Sequence, residues 1–83
     1  MTSWSEVERA VPDLAKAVQV RFEATGLGIM ATLRADGSPR ISGTEAHVVD
    51  GELVLGMMAG SLKARDLSRD SRLALHGPTF DPP

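Results

Sequence analysis

The chain has no cysteine and no tyrosine, and only one tryptophan and two phenylalanines among its 83 residues. Without cysteine there can be no disulfide and no thiolate metal site. His47 and His76 are the only histidines and no HExxH spacing surrounds them, so no metal centre is expected. No apolar stretch approaches the ~18 residues of a membrane span, and no basic segment leading into an apolar run stands at the N-terminus. Positive charge is not in excess either. Nine Lys and Arg against 11 Asp and Glu leave a formal charge of −2, which argues against general nucleic-acid binding. The expectation is a cytoplasmic protein without membrane or nucleic-acid partners, forming a single domain over 1–83. A core of this size seldom supplies more than ~3–5 kcal/mol of net stability, which leaves oligomerisation or a tightly held ligand as the expected support.

What is present is punctuated clearly. Ser3 or Ser5 can cap a first short helix with Glu6 and Glu8 in its opening turn. Pro12 suits the first turn of a second helix, along which Leu14, Val18 and Phe22 recur every four residues, with Val7 and Val11 extending the stripe backward. Gly26 supplies its left-handed end. Two Asp-Gly steps follow, Asp36-Gly37 and Asp50-Gly51, each between apolar-rich segments, and predict hairpins joining strands over 28–34, 39–49 and 52–58. A two-residue turn at Asp50-Gly51 pairs Val49 with Glu52, Val48 with Leu53, Ala46 with Leu55 and Thr44 with Met57. The same turn at Asp36-Gly37 pairs Leu33 with Arg40, Ala31 with Ser42 and Ile29 with Thr44. Together these registers turn Ile29, Ala31, Leu33, Ser42, Thr44, Ala46, Val48, Leu53, Leu55 and Met57 inward. Gly43 predicts a bend or bulge in the long middle strand.

The rest of the chain is organised around 57–70, MMAGSLKARDLSRD, where a strand ends at Gly60-Ser61 and a basic amphipathic helix begins. Free N–H groups, the positive end of the helix dipole and the cations Lys63 and Arg65 all favour an anion there. A capped surface helix with a solvated basic face is the other reading, and it has Arg65 paired with a nearby acid. A fourth short strand, RLALH over 72–76, follows, closed by Gly77-Pro78 and the tail Phe80-Asp81-Pro82-Pro83. Four strands leave two sheet edges open, so the chain reads as part of a barrel whose closing strands are missing. His47 and Glu45 share a strand face, without the matched nucleophile or base that acid–base catalysis needs, and a surface or interface role is expected for His47.

The order of these parts, with A-T-L-R-A-D-G-S-P-R-I-S followed by S-x-K-A-R-D-L-x-R-D, resembles the pyridoxamine 5′-phosphate oxidase-like family of flavin-binding split barrels over 22–76. The resemblance implies a mainly β fold with flanking helices. It would be a partial split β-barrel with four of about six strands, an N-terminal amphipathic helix and a helix between the third and fourth strands. It also implies a homodimer that binds FMN, the deazaflavin F420 or, in some relatives, haem in the groove between subunits, and an oxidoreductase acting on a small molecule. Non-enzymatic flavin- or haem-binding modules and an inactive truncated paralogue are the alternatives. Carried over residue by residue, Lys63 is the phosphate cation and Ser61 a hydroxyl and cap donor, and Arg40, Ser42, Gly43 and Thr44 pass along the ring or ribityl chain with Met57 and Met58 close by. No catalytic residue is implied. Relatives that act on pyridoxamine phosphate carry arginines where this chain has Leu62 and Ser42, which argues against that substrate and weakens FMN relative to F420.

Overall fold

The computed structural model describes residues 3–79. Among the described residues three helices and four strands follow in the order α1 (Trp4–Ala10), α2 (Pro12–Thr25), β1 (Leu27–Leu33), β2 (Pro39–Val49), β3 (Glu52–Gly56), α3 (Leu62–Arg69) and β4 (Ala74–His76). Helix boundaries follow the local chemistry. Ser3 caps α1 by accepting the Glu6 N–H, Pro12 opens α2, and Gly26 closes it at φ 70°. The inward stripe of α2 differs from the expected one: Ala15 and Phe22 are buried, whereas Leu14 is 62% exposed. At ~100° per residue, position 14 stands about 80° around the helix from 22 but position 15 only about 20°. Phe22 therefore shares its contact line with Ala15.

The strands form one antiparallel sheet in the order β3-β2-β1-β4. It is open, with β3 and β4 as its edges, and is not closed into a barrel. The second hairpin has the expected register. Asp50 and Gly51 both take positive φ, 50° and 76°, and Val49 pairs with Glu52 and Ala46 with Leu55. The first hairpin is one residue out from the expected register. Leu33 pairs with Pro39, Ala31 with Ile41 and Ile29 with Gly43. Of its two central residues only Gly37 is left-handed, at φ 87°. The Gly37 N–H closes a turn on the Arg34 carbonyl at 2.9 Å, and the Arg34 N–H reaches the Ser38 carbonyl at 2.9 Å. This is a three-residue loop ending in a left-handed glycine, one residue longer than the tight turn. Asp36 braces it by accepting the Ser38 N–H at 2.9 Å and the Ser38 hydroxyl at 2.6 Å.

The extra residue exchanges the two faces of β1. Gly28, Met30 and Thr32 point inward with Thr44 and Ala46 of β2, and Met30 and Thr32 are fully buried. Ile29, Ala31 and Leu33, expected inside, lie on the other face. There Ile41 of β2 is 68% exposed and Val54 of β3 is 44% exposed. Phe22 of α2 covers one end of the inner face. A Cβ at Gly28 would stand 3.0 Å from Leu75 Cδ1 and 3.3 Å from Phe22 Cε1, so glycine is what lets helix and sheet approach. At the other end α3 lies against β1. The β1–β2 ladder passes Gly43 unbroken, so the expected bulge does not occur. Strand β3 ends at Gly56, short of Met57 and Met58. Strand β4 starts late because the Arg72 N–H is taken by the Asp70 carboxylate at 3.1 Å. Among the described residues no helix is long and apolar enough to cross a membrane.

Candidate functional site

The step from β3 to α3 is shaped by Gly60, whose φ of 77° lets the Ser61 N–H turn back onto the Met58 carbonyl at 3.1 Å. Ser61 then caps α3. Its Oγ accepts the Ala64 N–H at 3.3 Å and its carbonyl accepts the Arg65 N–H at 3.0 Å. The Arg65 bond is the first regular turn of the helix, and of the four orphan donors at its start the Ala64 N–H is met by Ser61 Oγ and the Ser61 N–H by the Met58 carbonyl. The N–H groups of Leu62 and Lys63 have no partner among the described residues.

Two clefts flank this step. One, of about 390 Å³, is lined by Arg34, Arg40, Ile41, Ser42, Ser61, Leu62 and Lys63. The other, of about 370 Å³, is lined by Leu27, Gly43, Thr44, Glu45, Gly56, Met57, Met58 and Lys63. Lys63 stands between them, with its Nζ donating to the Gly43 carbonyl across β2. All eight residues singled out in the sequence are thus brought to one region. Arg40, Ser42 and Ser61 line the first cleft, Gly43, Thr44, Met57 and Met58 the second, and Lys63 both.

The two clefts differ in chemistry. The first carries three cations, two hydroxyls and no carboxylate. Ser42 Oγ is buried there without a hydrogen-bond partner. The second is flatter in polarity: the Thr44 hydroxyl is spent on the Gly56 carbonyl at 2.9 Å, and Met58 offers a side chain that is 81% exposed. Its one carboxylate, Glu45, folds over Gly56, where a Cβ would come within 2.7 Å of Glu45 Oε2.

Beneath the first cleft lies a cluster absent from the sequence expectations. Asp66 of α3 is only 2% exposed. Its Oδ2 accepts the Thr32 hydroxyl at 2.8 Å and the Arg40 Nε–H at 2.7 Å, while Oδ1 accepts from Arg69 at 3.0 Å. The Arg40 hydrogen bond, helped by Thr32 and Arg69, holds the Asp66 carboxyl below its ordinary value of 3.8 against the opposing effect of burial. The expected acid partner for Arg65 is not found: among the described residues Asp66 pairs with Arg40 and Arg69, and Arg65 makes no ion pair. One sign of the cluster was available in the sequence, the three-residue spacing of Asp66 and Arg69 on one helix face. The contributions of Thr32 and Arg40, 34 and 26 residues away, follow only from the fold. His47 is exposed, with its ring over Gly26, and makes no hydrogen bond to Glu45. Among the described residues no group of His, Asp and Glu could hold a metal ion.

No family model, curated protein or solved structure matches this chain.

Proposed function

We propose that this protein is a flavin- or deazaflavin-dependent oxidoreductase of the pyridoxamine 5′-phosphate oxidase-like type, working as a homodimer of split-barrel subunits, with the cofactor phosphate in the cleft at the start of α3. The observation that carries this reading is the donor set of that cleft. Arg34, Arg40 and Lys63 line it together with Ser42 and Ser61, no carboxylate is among the lining residues, and Asp66 beneath engages Arg40 only through its Nε–H. Free N–H groups on Leu62 and Lys63 add to the same field. Such a set fits a tetrahedral oxyanion, and Ser42, whose buried Oγ has no hydrogen-bond partner, is among the lining residues. Arg34 and Arg40 supply cationic charge that Leu62 and Ser42 do not.

The adjoining cleft, with Gly43 bare of side chain and Met57 and Met58 at its rim, suits the flat face of a ring. When bound, the flavin supplies the hydride chemistry; the chain's own residues hold the phosphate, orient the ring and limit access of water. The exposed apolar residues Ile41, Met58 and Leu62 beside the clefts are consistent with a second subunit closing over the site.

The test is an absorption spectrum of the purified protein followed by fluorescence titration with FMN and with F420. Saturable binding of either supports the reading, and a folded sample that binds neither refutes it. The alternative of a non-enzymatic flavin- or haem-binding module draws on the scarcity of proton-carrying groups, since Glu45 and Lys63 are the ionisable residues lining the second cleft. Binding without reduction by NAD(P)H or turnover of any reductant-coupled substrate would favour it.

A further inference from the structure

We infer that Asp66 is a positioning residue for anion recognition: from beneath the sheet's inner face it fixes the Arg40 guanidinium so that its terminal amino groups present a ready-made fork to a phosphoryl group in the cleft. This rests on the phosphate-cleft reading above and adds to it the residue that organises the cleft. The geometry is specific about which edge of the guanidinium is used. Arg40 gives Asp66 only its Nε–H, at 2.7 Å. An end-on pair would have consumed both terminal groups, but here neither has a partner among the described residues. The planar fork that suits a phosphate oxygen pair is therefore left available.

Division of labour on the carboxylate supports the same conclusion. Oδ2 receives Thr32 and Arg40, while Oδ1 receives Arg69. Thr32 and Arg40 are direct cross-strand partners, so the hydroxyl that holds Oδ2 and the guanidinium held by it sit on one rung of the sheet. Ser42 follows two residues along the same face and lines the same cleft as Arg40, with its Oγ buried and unpartnered. Arg69 is turned away and borders a different depression with Gly60, Ala64, Arg65 and Ser68. One carboxylate between two arginines leaves the cluster with net positive charge. Asp66 thus orders Arg40 without cancelling the attraction for an anion.

A purely structural role, as a staple between α3 and β1, is separated from positioning by reading phosphate affinity rather than stability. The full chain, labelled with ¹⁵N, is titrated with inorganic phosphate while the Arg40 Nε–H and the Leu62 and Lys63 amide signals are followed. Asp66→Asn should weaken phosphate about tenfold or more, and Arg69→Gln should change it by less than about twofold although it shares the same carboxylate. Should Asp66→Asn fail to fold, Arg40→Lys carries the test. It keeps the charge but loses the Asp66-held fork, and should weaken phosphate as much as Arg40→Gln does. Asp66→Asn or Arg40→Lys binding phosphate within about twofold of the wild type overturns the proposal. A wild-type chain that binds phosphate but neither FMN nor F420 removes the flavin reading and leaves Asp66 testable by the same variants. A wild-type chain that binds FMN or F420 but shows no saturable phosphate shift overturns the Asp66 proposal and leaves the flavin reading standing.

Discussion

Arg40 and Asp66 stand 26 residues apart in the chain and meet through a 2.7 Å bond from the guanidinium Nε to the carboxylate Oδ2. That bond ties α3, the helix that follows β3, to β2, the middle strand of the first three. Asp66 is almost completely buried and the Arg40 side chain is 22% exposed, so one end of the pair belongs to the interior and the other to the cleft. The relationship links stability to recognition, and it can be tested through each.

Acid should reveal the stability component. Asp66, Asp36 and Asp70 all have folded pKa values lowered from 3.8, Asp70 to about 2 by its Arg72 hydrogen bonds. A lowered carboxyl contributes its stability in full above the unfolded value, and loses it as pH falls through the folded one. Urea midpoints should therefore show no pH dependence from these three groups near neutral pH, where their stabilisation is complete, and should fall progressively below about pH 4. Asp66→Asn should lower the neutral midpoint and make the acid limb shallower. An unchanged acid limb in that variant would show that Asp66 does not carry the effect.

The register of the first hairpin predicts which apolar residues matter. Met30 is fully buried, and Met30→Ala should cost about 2–5 kcal/mol in chemical denaturation. Ile41→Ser, at a site 68% exposed, should stay within about 0.5 kcal/mol. Ile29→Ala should cost less than Met30→Ala, whereas a two-residue turn would require the reverse order.

Glycine replacements should rank by backbone and by space. Gly51→Ala should be the most damaging of three, since φ is 76° and the new Cβ would meet Ser5 Oγ at 2.4 Å. Gly37→Ala has open space but φ 87°, and should cost about 1–2 kcal/mol. Gly43→Ala has neither problem and should leave stability within about 0.5 kcal/mol. Its methyl group would project into the second cleft, so a fall in cofactor affinity at unchanged stability is expected. Thermal and urea unfolding alongside FMN and F420 titrations check the series.

Cofactor binding should depend on charge at one end only. Lys63→Ala and Arg40→Gln should each weaken FMN about tenfold or more, by loss of charge-assisted hydrogen bonds. Riboflavin, which lacks the phosphate, should be affected far less, and the difference should shrink as salt is raised. Equal losses for both ligands would relocate the phosphate away from these two side chains.

Much of this architecture was legible because it is written in local chemistry. The Ser3 and Ser61 caps, Pro12 at the start of α2, Gly26 at its end and the Asp50-Gly51 turn all act within four residues of where they stand. Asp36-Gly37 misled because the same dipeptide serves a tight turn and a three-residue loop. The choice was made by the Asp36 carboxylate bridging to Ser38, which is not a property of the dipeptide. The eight candidate residues converge on one region because they flank two chain reversals, at 34–38 and 58–61, and the strands' period of two does the rest. Asp66 escaped notice since it looks like any helix-surface acid until β1 and β2 bring Thr32 and Arg40 to it. Arg34 reads in the sequence as the end of a strand, and the fold brings it to the edge of the cleft.

The left-handed glycine of the first loop has a consequence for how this protein could change. Drawing Ala35 out of the loop and into the ladder opposite Ser38, at unchanged chain length, would give the tight turn at Asp36-Gly37, and with it the alternate parity of β1. Ile29 and Leu33 would then claim the interior, and Thr32 would be expelled to the solvent side. Asp66 would lose the hydroxyl that anchors it, and Arg40 would lose its rung-mate. The choice of turn at 35–37 thus decides which face of β1 meets Asp66 and Arg40, and a shift of one residue there is a frameshift at the level of side chains.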